Sequence, residues 1–246
     1  MVKKRIKRVV KKKFNFKNEI IKNYKESFHF LAESKNFILF AITFFLIAIF
    51  IGFIYPYFGQ ELLKKWIEEL LKETAGFGFW RFFWFIFQNN ALVSLTAIIF
   101  GFFFSIFPVF TLLFNGYVIG IVMRASVDSS SLLELWRLVP HGIFELPAVL
   151  ISIALGIRFG IDLMINCLLF YKKKLPKIPL SIYVIICLLF FPITFLIILI
   201  LTIQNNDLRS KLSFNFVNSI NVFIFIIIPL LLVAALIEAS LIVLMK

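Results

Sequence analysis

Residues 82–123 contain no charged side chain, although Arg81 and Arg124 bound the run on either side. A helix needs about 20 apolar residues to cross the hydrocarbon core of a bilayer, so this run has the length for two crossings. In hydrocarbon the backbone must satisfy its own hydrogen bonds, which leaves only helices and closed barrels. Barrel strands alternate apolar and polar residues. This run is continuously apolar and predicts helices. Composition agrees, with 61% hydrophobic residues, 34 Phe and a mean hydropathy of +0.99, against about 45–50% apolar in soluble domains. The expected fold class is an all-α membrane protein, a bundle of about six transmembrane helices.

Charge is distributed unevenly. The formal net charge is +13, and twelve of the 26 Lys and Arg fall within residues 1–36. No nucleic-acid motif accompanies them, so no nucleic-acid partner is expected. On so apolar a chain a basic end reports orientation or contact with anionic lipid. Residues 1–36 are read as a basic cytoplasmic segment. It opens with KKRIKRVVKKK, where interleaved Ile6, Val9 and Val10 suit an amphipathic helix on the membrane surface, a floppy tail being the other reading. The first apolar run begins at Phe37, too far in and too long for a signal peptide, so it reads as a retained span.

Residues 37–246 form the transmembrane domain, with spans expected at about 37–58, 82–107, 109–123, 141–162, 180–203 and 222–244. ELLKKWIEELLKE, residues 61–73, is amphipathic and too charged to span. It predicts an interfacial helix. Ser105 and Pro108 mark a turn or kink that makes 82–123 a hairpin of two spans; a re-entrant hairpin has the same parity. Residues 124–140 and 204–221 read as polar loops. Six crossings place both termini, and the cluster Lys172, Lys173, Lys174 and Lys177, on the cytoplasmic side of a cell membrane.

Ionisable groups inside spans cost ~2.5–3.5 kcal/mol each on insertion scales. Here they are His141, Glu145, Arg158, Asp162 and Glu238, with Asn89, Asn90 and Asn115 as weaker cases. His141 and Glu145 stand one helical turn apart and can meet. A proton relay or half a metal site is one reading. A divalent metal needs three or four ligands, and the other histidine, His29, lies in the basic segment. A hydrogen-bonded pair is expected there, with no metal and no cofactor. Six crossings make the fourth and last spans run in the same direction, so Arg158 and Glu238 lie at one depth and predict an interhelical ion pair, with Asp162 as a third member. Gly116/Gly120 and Gly156/Gly160 have GxxxG spacing and, with Gly142, predict close packing within the bundle. Cys167 and Cys187 read as free thiols.

The polar residues have a familiar order. Asn89-Asn90, LLFNGYVIG at 112–120, PHGIFELPAVLISIALGIRFG at 140–160 and AALIEAS at 234–240 together resemble the stage II sporulation protein M (SpoIIM, formerly DUF95) family over roughly residues 30–246. The chain departs from the family in its long basic leader and in the apolar LIVLM after IEA. The resemblance implies a multi-pass membrane protein. In spore formers such proteins act as membrane scaffolds with peptidoglycan hydrolases during engulfment, while relatives elsewhere have largely unassigned functions. No GxSxG, Walker A, HExxH or SxxK motif is present, so no enzyme is expected. The leading expectation is a scaffold or assembly factor with protein partners in the membrane or envelope. The alternative is a transporter or permease component, which requires a polar cavity joining Glu145, Asn115 and Glu238.

Overall fold

A computed structural model describes residues 16–57, 59–128, 132–174, 179, 181–182, 200 and 204–244. The described chain is built from helices: α1 (Phe16–Glu33), α2 (Lys35–Ile54), α3 (Gln60–Thr74), α4 (Phe79–Ile99), α5 (Ile106–Asp128), α6 (Leu132–Lys174), α7 (Asn206–Val222) and α8 (Ile228–Leu244). Five helical segments are long and apolar enough to cross a membrane, namely Lys35–Ile54, Phe79–Phe102, Ile106–Asp128, Gly142–Asn166 and Arg209–Leu244. The expected span at 180–203 lies almost wholly outside the described residues.

Residues 82–123 form a hairpin of two full-length helices. After α4 the chain tightens into a 3-10 turn at Phe100–Phe102 and reverses through Phe104 and Ser105, with φ of 51° and 65°. Neither is glycine, so this left-handed turn needs support. The Ser105 hydroxyl supplies some by donating to the Ile157 carbonyl at 2.8 Å. Pro108 makes no kink. It sits in the first turn of α5, where a missing N–H costs the helix nothing.

Two expected loops are helical. Residues 124–128 complete α5, and α6 begins at Leu132. Its 43 residues extend about 65 Å at 1.5 Å per residue. Pro140 and Pro147 lie within it. Most of 204–221 is α7, which continues through a π turn at Phe223–Ile227 into α8. There the Ile228 N–H donates to the Phe223 carbonyl, one residue wider than the α pattern. Pro229 follows, with no N–H to keep the regular ladder.

Packing fixes the relative directions. Gly101 lies against Gly156, and Phe102 stacks on Phe159 with ring centroids 6.4 Å apart, so α4 and α6 are parallel. Gly116 meets Phe45 and Ala48, while Gly120 meets Ile49 and Gly52, so α2 and α5 are parallel too. The last helix opposes α4 and α6. Phe77 and Phe82 cluster with Ala235 and Ala239. At the other end, Phe102 and Phe159 cluster with Leu212 and Phe216. The expectation that the fourth and last spans share a direction is therefore corrected. The end of α6 and the start of α7 lie together, at the end of the bundle where α1 packs.

Candidate functional site

Arg158 projects from α6 toward the junction between α1 and α2. Its side chain is 14% exposed. Nη1 donates to the Ser34 hydroxyl at 2.5 Å and to the Phe30 carbonyl at 3.3 Å. Nη2 donates to Glu33 Oε2 at 3.3 Å, and Nε lies 3.7 Å from Asp162 Oδ2. The guanidinium also covers the Phe30 ring, 4.1 Å from its centroid. Ser34 passes the link on, since its hydroxyl donates to the Phe30 carbonyl at 2.8 Å. Asp162 accepts a further bond from Asn215 Nδ2 of α7 at 2.8 Å. One cation thus fastens α6 to α1 and α2, and through Asp162 to α7.

The expected Arg158–Glu238 pair does not form. The helix directions explain this. Arg158 lies toward the α1 end, and Glu238 lies near the opposite end of an antiparallel helix. Glu238 instead lies near Glu145 of α6. Glu145 is hydrogen-bonded by the Asn90 side chain of α4. Both carboxyls are partly buried. Among the described residues, neither has an ion-pair partner. One turn beyond Asn90, Ser94 is fully buried and its hydroxyl has no hydrogen-bond partner among the described residues. Asn90, Glu145 and Glu238 thus place one polar group on each of three packed helices. Such a set can exchange a proton or a cation. No three His, Cys, Asp or Glu side chains converge as a metal site among the described residues.

The other candidates lie apart. Asn115 bonds its own helix, Nδ2 to the Thr111 carbonyl at 2.7 Å, and lines a cavity against α2 and α3 that neither glutamate lines. Asn89 is exposed on α4. The His141 backbone is in α6, but its side chain lies outside the description. Gly116, Gly120, Gly156 and Gly160 each meet backbone of a neighbouring helix, whereas a Cβ on Gly142 would meet only Leu146 Cδ1, at 3.8 Å.

Sequence reasoning missed Glu33, Ser34 and Asn215. Ser34 carried a usable signal, because a serine just before a long apolar run often marks a helix boundary. Asn215 carried none, since polar residues around it suggested a loop.

The family model described as stage II sporulation protein M, SpoIIM, matches residues 41–241. No curated protein and no solved structure matches the chain significantly.

Proposed function

Because the chain belongs to the stage II sporulation protein M family, we propose that it is a membrane scaffold or assembly factor, organising cell-envelope enzymes around a fixed bundle. The observation that carries this reading is the Arg158 cluster. The most costly intramembrane cation is fully engaged in fastening α1 to the bundle. A bound α1 makes a platform. Its Ile20, Ile21, Tyr24 and Phe28 remain exposed beside Lys17, Lys22 and Lys25. An apolar and basic surface of this kind suits an anionic membrane surface or a partner helix. The charge rule puts α1 and the Lys172–Lys174 run on the cytoplasmic side of a cell membrane, in a multi-pass arrangement. The packing of the last helix against α6 supports Leu244 on the far side, in place of six crossings with both termini cytoplasmic. Affinity purification after mild crosslinking tests the scaffold. Recovery of cell-envelope enzymes is expected from the native chain and is expected to fall with Arg158→Gln. Recovery of a cytoplasmic ATPase in their place counts against it.

A transporter component is the second reading, favoured by the Asn90–Glu145–Glu238 group. It predicts proton- or cation-coupled flux in proteoliposomes that Glu145→Gln abolishes. Equal flux in native and Glu145→Gln liposomes removes it.

A further inference from the structure

α3 carries its charges on one face and Leu63, Trp66 and Leu70 on the other. An amphipathic helix ordinarily buries its apolar face against a neighbour. Among the described residues α3 does not: none of the other helices packs extensively on it. It stands off from α2 and α5 across a cavity of about 830 Å³, with Leu63 and Trp66 on one wall and Ile51, Phe110, Phe114 and Asn115 on the other. Voids cost free energy in proportion to their size, and apolar cavities do not fill with water. The polar groups on the wall offer little to a polar ligand. The Asn115 amide donates to Thr111, and the Tyr117 hydroxyl donates to the Tyr55 carbonyl at 2.7 Å.

What borders the cavity identifies its occupant. Ile51, Phe110 and Phe114 are exposed on the outer face of two membrane-spanning helices, where the surrounding medium is hydrocarbon. Tyr55, Tyr57 and Tyr117 gather at the adjoining mouth, as aromatic residues do at a headgroup boundary. The chain enters α3 at Gly59 and leaves it near Gly76, both with positive φ (80° and 84°), so α3 is joined to the bundle by left-handed turns at both ends. Its polar face mixes Glu61, Glu68, Glu69 and Glu73 with Lys64, Lys65 and Lys72, a near balance that selects no headgroup charge. We propose that this groove binds an acyl chain of a bilayer phospholipid, clasped between α3 and the α2–α5 face. The chain, not the headgroup, is what it recognises.

The test uses the full-length protein in phosphatidylethanolamine–phosphatidylglycerol liposomes. These contain a trace of phospholipid with a diazirine midway along one acyl chain. After irradiation, adducts are mapped by mass spectrometry. Adducts at Leu63, Trp66 and Phe114 are expected at several times the level at Phe50, which is 64% exposed on the open face of α2. Val118→Trp, which fills the groove, should lower them several-fold and leave Phe50 unchanged. Should that variant fail to fold, Trp66→Ala removes one wall instead, and labelling at Phe114 should drop to the Phe50 level. Groove labelling equal to Phe50 and indifferent to these variants overturns the proposal. So does a Trp66→Cys disulfide between two copies without groove adducts, which would make the face a protein–protein seam.

Discussion

A guanidinium in a membrane helix is stable only where its donors find acceptors and its charge finds a counter-charge. At Arg158 those partners are one hydroxyl, one backbone carbonyl and two carboxylates, drawn from α1, the Ser34 junction and α6 itself. Glu33 is about half exposed, so solvent screens its share, and Asp162 and Ser34 carry more of the interaction. Arg158→Gln should lower stability by about 2–3 kcal/mol, the upper range for hydrogen bonds to charged groups, read as a loss of Tm in detergent. Lys has a point charge in place of a planar fork, so Arg158→Lys should recover only part. A double-mutant cycle localises the effect. Arg158→Gln with Ser34→Ala should be non-additive, whereas Arg158→Gln with Glu238→Gln should add within ~0.5 kcal/mol, as distant sites do. Strong coupling to Glu238 would contradict the arrangement described. The sequence alone exposed Arg158 as a residue needing an explanation, because its burial is improbable without one. It did not expose the partner, because partner choice depends on helix direction.

Helices approach most closely where no Cβ intervenes. At Gly156 a Cβ would run into the backbone of Ala97, and at Gly160 into that of Gly101 and Ser105. Backbone cannot yield as a flexible side chain can, so Gly156→Leu should force α4 from α6, seen as loss of the monodisperse peak in gel filtration. Gly142→Ala has open space and should change stability by less than about 0.5 kcal/mol. Normal behaviour of Gly156→Leu would show that the seam is wider than described. The GxxxG spacing made both pairs visible in the sequence, and each of the four glycines lies against backbone of a neighbouring helix. Loops were less legible. Residues 204–221 looked like a loop because they are polar, yet α7 forms there. Four of its polar side chains bond back within the helix or to Asp162, as Ser219 does to the Asn215 carbonyl at 2.9 Å and Asn215 to Asp162. Polarity signals a break only where the polar groups lack partners inside the fold.

At the scale of the whole molecule, charge patterning and helix packing constrain different things. The rule that cytoplasmic ends are basic fixes only whether an even or odd number of crossings separates two clusters. It expects residues 1–36 and Lys172–Lys174 on one side; α1 packs against α7 and meets Arg158 of α6. It says little about Leu244, because residues 222–246 hold no basic cluster. Packing speaks to that region directly. Phe77 and Phe82 sit with Ala235 and Ala239, and Phe159 sits with Leu212, so α8 ends near the start of α4, opposite α1. Single cysteines at Lys35, Glu68 and Leu244, placed in a Cys167→Ser, Cys187→Ser background, make this measurable. In oriented vesicles an impermeant maleimide should label the positions at Glu68 and Leu244 from one side and the position at Lys35 only from the other. Shared labelling of the Lys35 and Leu244 positions would mean that the last helix runs with α6. Arg158 and Glu238 would then lie at one depth again, and the Glu145–Glu238 site would dissolve with the same result.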